Sequence, residues 1–176
     1  QLAISAHLQQ NAKSIVVLSP PARILEPDCT EELRLLLAGI SCVILKSEDL
    51  PGSGVKDTEL LLSYAEELCD NGCSSVVFTR GNSGELGWDH AARTAHHVPA
   101  YPSTVIDPVG AHAGFCGGFL AGLTQTGDLQ ESMLQGTVSA SLIVEGTPAF
   151  HALEALPGLA RSRADFLRDR VRKVQH

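Results

Sequence analysis

Short apolar runs alternate along this chain with longer segments whose apolar residues recur every three to four positions. Ser14-Ile-Val-Val-Leu18, Ser41-Cys-Val-Ile-Leu45 and Ser75-Val-Val-Phe-Thr79 have the length and β-branched content of strands buried in a parallel sheet. Between the second and third, Leu60, Leu61, Tyr64, Ala65 and Leu68 place an apolar stripe on a helix. Asp57 or Thr58 caps its start, and Asn71-Gly72 stops it. An earlier helix is predicted over Glu31–Ala38, capped by Asp28 or Thr30, and residues 1–11 read as the end of another. Glu85–Trp88 and Arg93–Val98 predict a β-hairpin, with His96 and His97 as surface residues of its second strand. A helix over Leu129–Val144 follows Asp128, with Gly136, Ser139, Ala140 and Ser141 on one side. Pro148–Leu156 and Ser162–Lys173 predict two terminal helices, started by Pro148 and by Ser162 as N-cap. Alternating strands and helices predict a three-layer α/β architecture with a mostly parallel sheet, one domain over residues 1–176.

The stretch Asp107-Pro-Val-Gly-Ala-His-Ala-Gly-Phe-Cys-Gly-Gly-Phe119 stands apart from this alternation. Pro108 and Gly110 interrupt regular structure, and from Ala111 onward nothing is strong enough to stop a helix. Each interior glycine costs a helix roughly 1 kcal/mol. Such a helix is tolerated where it packs closely on a neighbour or where its backbone must approach a ligand. A glycine turn opening a helix also aligns unpaired N–H groups with the positive end of the helix dipole, which makes a phosphate-sized anion site.

This run resembles the second signature of the ribokinase/PfkB family of carbohydrate and nucleoside kinases, D-x-x-G-A-G-D-A-F-x-G-G-F. Asp107, Gly110, Ala111, Phe115, Gly117, Gly118 and Phe119 fall on it without a gap. The family's catalytic base, the Asp of G-A-G-D, aligns with Ala113, and the Gly before it with His112. Leu45-Lys-Ser-Glu-Asp-Leu50 falls where the family has N-x-x-E, whose acid helps to place magnesium. Ser47 takes the Asn position and Leu50 the Glu position; Glu48 and Asp49 remain and could approach a metal, though not at the family's spacing, with Glu48 as the magnesium candidate. Thr79 and Arg80-Gly-Asn-Ser-Gly84 resemble the T-x-G-x-x-G loop that lies along the nucleotide phosphates.

The resemblance implies a ribokinase-like α/β/α fold with the family's N-terminal part and lid absent, covering about the C-terminal half of such a kinase. It implies ATP and Mg2+, K+ as the monovalent cation of some members, and a small-molecule sugar or nucleoside acceptor. A nucleotide site is implied at Thr79, Gly81, Gly84, Gly110, Ala111, His112, Ala113 and Thr137, the last at a position where an Asn often packs beside the base. A monovalent cation is implied at Asp107, with help from the loop Val144-Glu-Gly146. The implied reaction carries the γ-phosphate of ATP to a sugar hydroxyl, with catalysis impaired because alanine cannot accept a proton. His112 is the nearest titratable replacement, but one position along a helix is a rotation of about 100°. The alternative is a non-catalytic α/β binding or scaffold module.

Composition adds few constraints. Hydrophobic residues at 44% and charged residues at 19% describe a globular chain. Of the net charge of −7, residues 161–176 hold +4, six basic against two acidic residues, which leaves −11 elsewhere. An acidic body argues against nucleic acid as a partner, and the basic tail reads as a solvated helix face. No apolar run approaches the roughly 20 residues of a membrane helix, and residues 1–20 lack a signal-peptide pattern. The five cysteines, Cys29, Cys42, Cys69, Cys73 and Cys116, form no disulfide framework and suit a reducing, cytoplasmic setting. Cys69 and Cys73 have no second pair at zinc-site spacing and read as thiols. Gln1 in place of Met suggests a fragment or a processed product. No G-x-G-x-x-G follows the first strand, so a dinucleotide-binding dehydrogenase is excluded.

Overall fold

The computed structural model describes residues 15–19, 37–50, 57–147, 149–156 and 158–175; the helix end predicted before residue 15 and most of the Glu31–Ala38 helix lie outside them, as do Cys29 and Pro148. The chain divides into two compact units: residues 1–80 with 86–95 and 174–176, and residues 81–85 with 96–173.

The first unit carries the sheet. Strands β1 (Val17–Leu18), β2 (Cys42–Lys46) and β3 (Ser75–Thr79) are parallel, with Val17 opposite Cys42, Val43 opposite Val76 and Lys46 opposite Thr79. The first four residues of β2 and of β3 are all buried, as continuous apolar runs in a sheet covered on both faces must be. Helix α1 (Thr58–Asp70) is the crossover between these two strands. The Asp57 carboxylate accepts from the Glu59 amide at 2.9 Å, and Gly72 leaves the helix at φ +120°. Its buried face is Leu61, Leu62, Ala65, Leu68 and Cys69. Leu60, which the periodicity puts in the stripe, is 41% exposed, because three consecutive leucines leave the phase ambiguous and Leu62 takes the inner place. The core also takes in Leu37, Ile40, Leu45, Leu50, Phe78 and, from the hairpin, Leu86, Trp88 and Ala95.

The hairpin strands are β4 (Glu85–Asp89) and β5 (Thr94–Val98), and the sheet has, among the described residues, a sixth strand, β6 (Arg172–Val174), whose first two residues fall in the stretch predicted as helix. All six strands contribute residues to the first unit, in the sheet order β1 to β6. Arg93 bonds Glu66 at 2.6 Å and lies over the Trp88 ring. Cys73 donates its S–H to Cys69 Sγ at 3.6 Å; that hydrogen bond, then burial, pushes the Cys69 thiol well above its ordinary value, so it stays protonated.

The second unit is built on a helical hairpin, α2 (Ala111–Thr126) and α3 (Leu129–Ile143). Gly127 at φ +67° ends α2 with its N–H on Leu123 O, and Asp128 caps α3 by accepting from the Glu131 amide at 2.7 Å. Phe115 and Phe119 stack at 6.0 Å between centroids, and Met133 and Leu134 are fully buried. The predicted helix over Pro148–Leu156 is a 3₁₀ helix over Ala149–Glu154. The last helix, α4, runs Leu159–Arg168 rather than Ser162–Lys173. Gly158, left-handed at φ +86°, opens it, so Ser162 lies within the first turn with its N–H on Gly158 O. Nor is its basic face fully solvated: Arg163 is 5% exposed and paired to Glu145, while Arg168 reaches Glu131 and Asp165. Among the described residues no helix is long and apolar enough to cross a membrane.

Candidate functional site

The turn that opens α2 lies in the second unit and is held from three sides. The Asp107 carboxylate accepts from the Val109 amide at 2.9 Å, which folds the chain back before the helix. The Val144 carbonyl accepts from two amides, Ile106 at 2.7 Å and Asp107 at 3.2 Å, so the loop after α3 grips the start of the turn. Gly110 stands at φ +86°, a conformation that strains any other residue, and its carbonyl receives the first helical bond from the Gly114 amide at 2.8 Å. The Ala111 amide is turned onto Pro108 O at 3.2 Å.

No side chain caps this helix start, and its first turn carries no acidic residue. The positive end of the α2 dipole is therefore not neutralised from within the turn. Ala113 is exposed there, at the position where the resemblance puts a proton acceptor. His112 is half-buried, and its Nε2 lies 3.7 Å from Cys116 Sγ, one turn further on. The imidazole thus runs along the helix and away from Gly110.

The glycines inside α2 answer to packing. A Cβ on Gly118 would stand 2.6 Å from Gln135 O, and one on Gly122 would stand 2.8 Å from Ser132 Cα. One on Gly114 would strike Ile143, and one on Gly136 would meet the Phe115 ring at 2.8 Å. Gly117 is different, with nothing within 4 Å of the same point.

The remaining residues singled out by sequence lie on other turns, strands and helices. Gly81 (φ +54°) and Gly84 (φ +77°) bracket a 3₁₀ turn over Gly81–Ser83 in the second unit. A Cβ on Gly84 would collide with the backbone of Val98, Pro99 and Ala100, so glycine is required there by close approach. His97 Nε2 lies 2.9 Å from Ser83 O and holds this turn, a role no local signal reveals across 14 residues. Thr79 ends β3 in the first unit, its hydroxyl 3.5 Å from Leu45 O. Thr137 is 4% exposed and donates its hydroxyl to Met133 O at 2.9 Å. In the first unit Glu48 is exposed on a 3₁₀ turn over Ser47–Asp49. Leu50, at the position of the family's second acid, is 2% exposed and part of the core. Among the described residues, no group of three or more His, Cys, Asp and Glu is placed to hold a metal ion.

A family model described as pfkB family carbohydrate kinase matches residues 2–155. The cytidine kinase of Thermococcus kodakarensis is 32% identical over 93 residues, which cover 49% of this chain and 34% of that protein. The aminoimidazole riboside kinase of Salmonella enterica, solved with aminoimidazole riboside and an ATP analogue, superposes with a TM-score of 0.69 at 21% identity, over 92% of this chain and 56% of that one. The ribokinase of Giardia lamblia gives a TM-score of 0.73 at 15% identity, over 94% and 55%. The chain thus spans about half the length of these structures and matches a third of the curated relative. The fold it shares with them is ribokinase-like α/β.

Proposed function

The chain belongs to the pfkB family of carbohydrate kinases, and from that premise we propose that it binds the phosphates of ATP at the start of α2 while transferring phosphate poorly or not at all. The observation that carries this reading is one helical turn: Gly110 opens α2 without a side-chain cap, and the next three residues include no acid. Backbone N–H groups and the helix dipole there favour a phosphate oxygen. The acceptor in this reading is a hydroxyl of a sugar or nucleoside, the substrate class named for its relatives.

Phosphoryl transfer needs placed phosphates, charge neutralisation, an in-line hydroxyl and a group that takes its proton. Asp107 fixes the turn that would present the phosphate-binding amides. Ala113 leaves the acceptor proton without a base, a loss of about 10²–10⁴-fold in rate. His112 is held beside Cys116 and does not replace it. Magnesium does not fit the residues described: Glu48 and Asp49 are adjacent exposed acids with no third ligand beside them, and Leu50 is in the core. The resemblance places a K+ ion between Asp107 and the 144–146 loop, two segments that the Asp107 amide on Val144 O holds side by side. The Asp107 carboxylate and free carbonyl oxygens of that loop would hold it, and the ion would add positive charge beside the anion.

Calorimetric titration of ATP into the chain tests the binding half, with saturable micromolar heats expected. A coupled assay with ribose, fructose and cytidine tests the chemical half, and no rate above background is expected. Ala113→Asp should keep the fold and still transfer phosphate poorly, because position 50 lacks its acid as well; a robust rate would leave Ala113 as the one lesion and overturn the role given to position 50. The second reading, a scaffold without a ligand, is favoured by the loss of acids at both 113 and 50. It prevails if millimolar ATP gives neither heat nor a rise in melting temperature.

A further inference from the structure

We infer that Arg163, on the last helix, is a positioning residue for the Asp107–Gly110 turn, acting through Glu145 and the carbonyl of Val144. The inference that this turn then governs ligand affinity rests on the phosphate-binding reading above.

Arg163 is 5% exposed. Its Nη2 donates to Glu145 Oε2 at 2.6 Å and its Nη1 to Ser141 Oγ at 2.9 Å. The guanidinium carbon stands 4.5 Å from the centre of the Tyr101 ring. Ser141 and Glu145 bracket the C-terminal end of α3, and between them sits Val144, whose carbonyl holds the Ile106 and Asp107 amides. Tyr101 lies on the segment that leads into those same amides, and Ser103 Oγ ties that segment to Ser141 O at 3.3 Å. One guanidinium therefore touches both walls of the junction. Through Val144 it fixes Asp107, and through the Asp107 carboxylate the Val109 amide and the helix start.

The arrangement is not one that stability alone would select. Nε of Arg163 is buried without a hydrogen-bond partner. Apolar residues of similar volume often serve a buried position as well as an ion pair does, or better. What a planar fork supplies, and a methionine does not, is a fixed direction between two acceptors and an aromatic face.

The test is amide hydrogen exchange, resolved by residue, in the full chain and in Arg163→Met, with ATP affinity measured in parallel. Exchange at Ile106 and Asp107 should quicken at least about tenfold, while Met133 and Leu134 in the middle of α3 keep their protection. ATP binding should weaken by a similar factor. A merely structural arginine would loosen α3 as a whole or nothing at all. If Arg163→Met does not fold, Glu145→Ala removes the same acceptor from its partly exposed end and should give the same two-residue signature. Wild-type protection at Ile106 and Asp107 in a folded variant overturns the inference, whatever ATP does. Quickened exchange with unchanged ATP affinity overturns its control of the ligand site. Quickened exchange in a chain whose wild type binds no ATP upholds the link and overturns the phosphate reading instead.

Discussion

Gly118→Leu should prevent α2 and α3 from closing on one another, and even Gly118→Ala should lower stability by about 2–3 kcal/mol. A Cβ at this position stands 2.6 Å from Gln135 O, 2.7 Å from Ser139 Cβ and 3.1 Å from Gln135 C. Two of those atoms are helix backbone, which cannot swing aside as a side-chain tip would. The helices must separate, and the side chains whose packing then loosens include Phe115, Phe119, Met133 and Leu134, all buried. The neighbouring residue gives the opposite sign. Gly117 is exposed, with open space where its Cβ would lie, so Gly117→Ala should stabilise the chain by about 0.5–1 kcal/mol through helix propensity alone. Urea denaturation of the two alanine variants beside wild type decides the matter. Equal midpoints for both would mean that the glycines are not sorted by the packing of α2 on α3.

That pair of glycines also shows what the sequence can and cannot convey. A glycine-rich helix is legible, together with its two possible causes, close packing or a ligand at the backbone. Assigning the causes requires the partner helix: Gly114, Gly118 and Gly122 face α3, whereas Gly110 makes the turn. Strands β2 and β3 and helix α1 are legible to within a residue, because an apolar run of five and a capped stripe are local signals. The end of the chain misleads for the same reason. Ser162 is the residue type that caps helices, but Gly158 starts α4 from a left-handed conformation that leaves no polar signature. Arg163 and Glu145 are 18 residues apart and His97 and Ser83 are 14 apart, so neither link has a periodicity to betray it. Thr137 enters the nucleotide site by resemblance alone; its hydroxyl donates to Met133 O one turn back on its own helix.

Leu50→Glu, which returns an acid to the position where the family carries one, should cost about 4 kcal/mol or more and supply no metal ligand. Leu50 is 2% exposed among Leu45, Leu61 and Phe78, so the exchange forfeits roughly 2 kcal/mol of apolar burial and drives a carboxyl into that core. The carboxyl escapes ionisation by staying protonated, which raises its folded-state pKa above the unfolded value of about 4.3. The sign follows from proton uptake: above that pH the folded variant holds a proton that the unfolded chain has released, so its stability falls as pH rises. Urea midpoints should approach those of wild type near about pH 4 and fall furthest behind near about pH 8. A variant as stable as wild type at the higher pH would show that the turn can present this side chain to solvent. With the expected result, the two positions where the resemblance expects an acid differ in kind. Ala113 is exposed, so an aspartate there costs the fold little. Position 50 is part of the hydrophobic core, so an acid there must first be accommodated by rebuilding the turn after β2.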